Sequence, residues 1–147
     1  ILAGEYDDHE YFRIQDKIEK LNLKGRVVMP GFIREADLPA LYQMSEVFVM
    51  PSQKEGFGIV YLEAAWSGCR VIACDADGSA EAMLNGALGK LVPASDKFEL
   101  QKAIEQAFMS PVSEPESQQF RTLINQHFGF AAFQQKQARL IEHLVDS

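Results

Sequence analysis

The sequence has little of what several common functions require. Only two cysteines, Cys69 and Cys74, occur in 147 residues. They support neither a disulfide framework nor a zinc-type spacing. They read as buried thiols of a reducing compartment. The three histidines, His9, His127 and His143, do not cluster and form no HxxxH pattern, so no metal is expected. Positive charge is also short: 14 Lys and Arg face 21 Asp and Glu, a net charge of −7. A broad nucleic-acid face needs clustered Lys and Arg and is not expected; a local basic pocket for a phosphate remains open. No apolar run approaches the roughly 20 residues that span a membrane. Internal repeats and low-complexity tracts are absent. The chain opens at Ile1, without Met and inside an apolar run, as a fragment or a mature piece would.

What is present is an ordinary globular composition, 47% hydrophobic and 24% charged, in a chain long enough for one domain. Apolar runs alternate with helical patterns. Residues 1–4 read as the end of a strand and 11–23 as a helix. Residues 26–32 are a strand ending in a turn. Asp37 is the expected N-cap of a helix through residue 44, with Pro39 in its first turn. Strands follow at 47–50, 70–74 and 89–92, with helices at 57–67, 79–84 and 96–108. Gly68 sits just past the first of these helices, where a left-handed residue is common. Residues 111–116 read as a loop, and 120–128 and 131–144 as helices. Phe128 and Phe130 are expected to pack those last helices onto the sheet. Strands without apolar–polar alternation, separated by helices, predict a Rossmann-like, doubly wound parallel sheet with helices on both faces. Residues 1–108 supply the sheet and crossover helices of a single domain, and 117–147 its C-terminal helices.

Ligands of such sheets bind beyond the C-terminal ends of the strands. The turns at 31–32, 52–58 and 75–79 belong at that rim. The middle one is the most informative. Glu55-Gly56-Phe57-Gly58-Ile59-Val60-Tyr61-Leu62-Glu63 follows an apolar strand and opens a helix. A strand, a Gly-punctuated turn and a helix aim free N–H groups and a positive helix end at one point, where a diphosphate can sit. Gly56 and Gly58 let a ligand approach the backbone. Glu55 and Glu63 bracket that point. With a helix opening at Phe57, Glu63 lies roughly 9 Å along its axis. Glu63 is surrounded by Ile59, Val60, Tyr61, Leu62, Ala64, Ala65 and Trp66. That pattern is apolar nearly all round, as in a buried helix, where a carboxylate needs a partner or a ligand. Each glutamate alone has a bland reading, as a residue favoured by the helix dipole or simply solvated. Lys54 is a candidate phosphate contact or a solvated turn residue. Ser52 and Asp75 are rim residues or caps. Asp77, Gly78 and Ser79 are candidate sugar-side contacts. Tyr61 and Trp66 read as core.

Glu55 to Glu63 resembles the E-x7-E motif of family 4 retaining glycosyltransferases of the GT-B fold. The flanks are similar too: Leu38-Pro39-Ala40-Leu41-Tyr42 and Glu46-Val47-Phe48-Val49-Met50-Pro51-Ser52 before it, then Glu63-Ala64-Ala65-Trp66-Ser67-Gly68-Cys69-Arg70-Val71-Ile72-Ala73. Asp77-Gly78-Ser79-Ala80-Glu81 resembles the family's Gly-Gly-x-x-Glu turn, and residues 86–93 its stretch ending in Leu-Val-Pro. The likeness covers about residues 1–108. E-x7-E alone is a weak signal; the ordered series of segments is a strong one.

The resemblance implies a donor-binding C-terminal domain. Glu63 would hold the ribose hydroxyls and Glu55, as the catalytic-site carboxylate, the donor-sugar hydroxyls. The N–H groups of Gly56, Phe57, Gly58, Ile59 and Val60 would hold sugar and diphosphate. Phe32 and Ile33 would flank the base. The reaction implied is hexose transfer, with retention, from a UDP-, GDP- or ADP-hexose to a sugar or lipid-linked acceptor hydroxyl. Polysaccharide or glycoconjugate biosynthesis is the expected setting. No cofactor or metal is expected, because the helix end and basic side chains stabilise the leaving diphosphate. The expected location is cytoplasmic, or peripheral at the membrane in the intact protein. Two departures stand out. The family's first strand and turn, with an Arg and a Lys for the diphosphate, would precede Ile1, and Arg26 does not replace them. The family's N-terminal acceptor domain would precede Ile1 as well. The chain alone is therefore expected to be inactive, with strand edges open to self-association. The alternative is a non-catalytic nucleotide or sugar-phosphate-binding module on the same sheet. A purely structural fragment is a third reading.

Overall fold

The computed structural model describes residues 1–52, 54–76 and 78–145, with His143 and Val145 by backbone alone. The chain divides into two compact units, Ile1–Leu38 and Pro39–Ser147.

The first unit is built on helix α1 (Asp8–Lys20). It starts three residues before the sequence pattern suggests, because the Asp7 carboxylate accepts the Glu10 N–H at 2.8 Å and caps it. Residues 1–4 and 26–32 do not form full strands. They meet in one parallel bridge, Ala3 to Gly31, with Leu2 N–H donating to Val28 O and Gly4 N–H to Gly31 O, both at 2.9 Å. Pro30 has no N–H for a ladder, and Gly31 at φ 76° leaves extended space, so the pairing stops there. Asp37 is not an N-cap. It ends a 3₁₀ turn, Glu35–Asp37, and its carboxylate accepts from Arg34 Nε at 2.7 Å.

The second unit, entered through helix α2 (Leu38–Gln43), holds a three-stranded parallel sheet. Its strands are β1 (Val47–Met50), β2 (Arg70–Cys74) and β3 (Gly89–Val92), in that order. Register pairs Phe48 with Val71 and Ala73 with Leu91. On one face, helix α5 (Lys97–Met109) packs Leu100, Ala103, Ile104 and Ala107 against Val47, Val49, Ile72 and Val92. Helices α3 (Ile59–Trp66) and α4 (Gly78–Ala82) pack on β2, and Tyr61 of α3 meets Phe48 edge-on at 6.1 Å. Successive strand residues alternate faces, so Phe48 and Val49 serve opposite layers. Helices on both faces of a parallel sheet make the fold α/β and Rossmann-like.

Helix α6 (Glu114–Phe128) packs on α3, and α7 (Phe130–Val145) packs on α6. The loop expected over 111–116 is therefore half helix. Ser113 and Glu116 form a capping box, and Pro115 sits in the first turn where no N–H is needed. Phe128 is half-buried, but Phe130 is 74% exposed and packs nothing onto the sheet. Phe128 lies against Phe57 instead, with ring centroids 5.4 Å apart. Cys69 and Cys74 are buried free thiols, as expected, and burial pushes the Cys69 thiol up to about 11. Among the described residues no helix is long and apolar enough to cross a membrane.

Glu116 also ties α6 to the start of β2. Both Arg70 terminal nitrogens meet its carboxylate, and Arg70 Nη2 reaches Ser110 O at 2.8 Å. Hydrogen bonding from Arg70 holds the Glu116 carboxyl below its ordinary 4.5. The folded carboxyl thus binds its proton less tightly than the unfolded one. Its stabilisation is full above pH 4.5 and is lost as pH falls through the lower folded value. Glu116→Ala is expected to cost about 1–2 kcal/mol in urea unfolding at pH 7. The gap to wild type should narrow at pH 3.5. An equal gap at both values would show that the ion pair is not its source.

Candidate functional site

The site begins at the C-terminal ends of β1 and β2, where parallel strands leave two loops on one rim. The first loop runs from Pro51 to Gly58 and the second from Asp75 to the start of α4. They touch. Gly78 N–H donates to Glu55 O at 3.2 Å. A Cβ on Gly78 would collide with the Gly56 carbonyl and stand 2.8 Å from Phe57 Cα, so only glycine permits this approach. Tyr61, fully buried, completes the link. Its hydroxyl lies 2.9 Å from Met50 O, to which it donates, and 3.2 Å from Ser79 Oγ. The end of β1, helix α3 and helix α4 are thereby held together beneath the loops. Burial pushes the Tyr61 phenol up, and the Glu55 charge adds to the effect.

Helix α3 opens at Ile59, two residues later than the sequence pattern suggests. Gly58 is its N-cap, buried and left-handed at φ 83°, ψ 59°, and no side chain caps the helix. An N-cap with a side-chain oxygen would fill the helix mouth; this one leaves it open. The N–H groups of Gly56, Phe57, Gly58, Ile59 and Val60 have no hydrogen-bond acceptor among the described residues, whereas Tyr61 N–H turns back to Gly58 O at 3.0 Å. Five N–H donors without an internal acceptor, at and before the positive end of a helix, suit an anion.

Glu55 is half-buried, and its Cγ would lie 3.1 Å from a Cβ on Gly58, so the side chain leans over the cap. Glu63 lies in the second turn of α3, about 6 Å along the axis from Ile59. It is not in a buried helix. Ile59, Glu63 and Trp66 form an exposed stripe, while Tyr61, Leu62, Ala64 and Ala65 face the core. Glu63 does have a partner, which sequence pattern did not reveal: Tyr42 Oη donates to its Oε2 at 3.2 Å. Burial first, and then the Glu63 charge, push the Tyr42 phenol up to about 12, so it stays a donor at neutral pH. Tyr42 appears in the sequence only as the last residue of Leu38-Pro39-Ala40-Leu41-Tyr42, a segment that flanks the motif.

Phe57 is fixed from the far side by Phe128, whose ring also carries Lys136 Nζ at 5.9 Å. Lys54 and Asp75 are exposed, Ser52 is half-buried and accepts the Lys54 N–H at 3.4 Å, and Ser79 is buried in the Tyr61 link. Asp77 lies outside the described residues. Phe32, exposed, and Ile33, half-buried, belong to the first unit. Among the described residues no group of three or more His, Cys, Asp or Glu could hold a metal ion.

The family model for glycosyl transferases group 1 matches residues 1–122, and the chain belongs to that family. It is 33% identical over 106 residues to the lipopolysaccharide core biosynthesis mannosyltransferase LpcC of Rhizobium leguminosarum bv. viciae, covering 69% of this chain and 30% of the relative. It is 32% identical over 105 residues to the GDP-mannose-dependent α-(1-6)-phosphatidylinositol monomannoside mannosyltransferase of Mycolicibacterium smegmatis, covering 67% of this chain and 28% of the relative. Among solved structures, sucrose-phosphate synthase from Thermosynechococcus elongatus superposes with a TM-score of 0.80 at 28% identity, over 99% of this chain and 38% of that one. Anabaena HepE, solved in complex with UDP, gives 0.79 at 25% identity, over 97% and 40%. The chain thus spans well under half the length of each of these proteins.

Proposed function

We propose that this chain carries the donor half-site of a retaining glycosyltransferase, which transfers a hexose from a nucleotide diphosphate sugar to an acceptor hydroxyl. The reading rests above all on the open mouth of α3, where uncapped N–H groups lie between two glutamates. The diphosphate binds to the N–H groups of Gly56, Phe57, Gly58, Ile59 and Val60. Glu63 takes the ribose hydroxyls, and Glu55 the hydroxyls of the hexose. As the bond to the anomeric carbon breaks, negative charge grows on the diphosphate. The pre-oriented N–H dipoles and the helix end stabilise that charge without a metal. A relative named for GDP-mannose and a neighbour solved with UDP support a nucleotide-sugar donor. Synthesis of a polysaccharide or glycoconjugate is the setting this reading favours.

Calorimetric titration with UDP, GDP and ADP, then with their hexose forms, tests the site. Saturable binding of one nucleotide is expected, weakened about 10-fold or more by Glu63→Ala, as for loss of a charged hydrogen-bond acceptor. If none of the three saturates either this chain or the full-length protein, the reading is wrong.

A further inference from the structure

We propose that Tyr42 is a positioning residue for donor binding, holding the Glu63 carboxylate in the orientation that accepts the ribose hydroxyls. The proposal rests on the donor-site reading above. Glu63 is exposed on α3 and has no cationic partner among the described residues. An unrestrained glutamate there samples several rotamers and must give up that freedom when a ligand arrives. Tyr42 restricts it beforehand. The tyrosine is 6% exposed and its ring meets Phe48 edge-on at 5.6 Å. Its own carbonyl accepts the Cys69 S–H at 2.9 Å. Ring and backbone are therefore set by the core, and the hydroxyl is the one polar atom the ring extends toward the site. That hydroxyl donates to Oε2, which leaves Oε1 free to accept from a diol. The contact joins an element before β1 to the helix that carries the motif, 21 residues away in sequence.

Tyr42→Phe removes only the hydroxyl and keeps the packed ring. Affinities of UDP, GDP and ADP, each beside its 2′,3′-dideoxy counterpart, are measured by calorimetry for wild type, Tyr42→Phe, Glu63→Ala and the double variant. Tyr42→Phe is expected to weaken the ribose nucleotide that binds by about 5- to 10-fold. Its dideoxy counterpart should bind as to wild type, and Tyr42→Phe should add nothing once Glu63 is alanine. An equal loss for both nucleotides, or none for either, overturns the proposal. If Glu63→Ala itself fails to distinguish ribose from dideoxyribose, the donor-site reading falls and takes this proposal with it. If Glu63→Ala distinguishes them and Tyr42→Phe does not, only the role of Tyr42 is lost.

Discussion

Gly58→Ala is expected to lower the thermal midpoint by roughly 5–15 °C, while Gly56→Ala two residues away leaves it nearly unchanged. The two glycines look alike in the sequence and differ in structure. Gly58 is left-handed at φ 83°, and a Cβ there would stand 2.5 Å from Tyr61 Cδ2, in the buried core. Left-handed strain costs about 1–2 kcal/mol, and crowding a packed ring adds about 1–3 kcal/mol. Gly56 has no left-handed φ, and nothing lies within 4 Å of the place its Cβ would take. Calorimetric melting of both variants decides the matter. A stable Gly58→Ala protein would mean that the cap relaxes and that the open helix mouth is not held by this residue. Gly56→Ala then isolates the ligand's own need for room: a folded variant with weakened nucleotide binding is the expected result.

Glu55→Ala is expected to lower affinity for the nucleotide-hexose by roughly 10- to 100-fold, the range for a lost charged hydrogen-bond partner. Affinity for the nucleotide diphosphate alone should stay within about 2-fold, because Glu55 is assigned to the hexose and not to the nucleotide. Hexose transfer by the full-length protein should fall at least as far as donor affinity. The turn itself should survive, since the Glu55 carbonyl, not its carboxylate, accepts the Gly78 N–H. Glu63→Ala differs in weakening both ligands. The contrast between the two variants locates the sugar end and the ribose end of the site. If Glu55→Ala weakens diphosphate and nucleotide-hexose equally, Glu55 acts on the helix mouth and the hexose assignment is wrong.

Much of this was legible in local pattern. Apolar runs marked β1, β2 and β3 to the residue, and Asp96 announced α5, whose first N–H groups it accepts. Gly68, left-handed at φ 94°, ends α3 as expected. The start of α6 is also encoded locally, although residues 111–116 read as a loop. Ser113 followed three residues later by Glu116 is a capping box, but the Pro-Ser-Glu composition of 111–116 masked it. The strand expected over 26–32 failed for a local reason too, since Pro30 and Gly31 interrupt the ladder.

By itself the sequence determined the α/β order, the spacing of Glu55 and Glu63, and the glycines between them. Those are properties of neighbours along the chain, and 3.6-residue and 2-residue periods encode them directly. Only tertiary structure decided which face of α3 is wet. An apolar helix exposes Ile59, Glu63 and Trp66 because the sheet and α6 lie on its other sides. Only tertiary structure gave Glu63 the Tyr42 hydroxyl, 21 residues distant, and set Gly78 against Glu55. Contacts between elements depend on how the sheet brings loop ends together, and no periodicity within one segment records that.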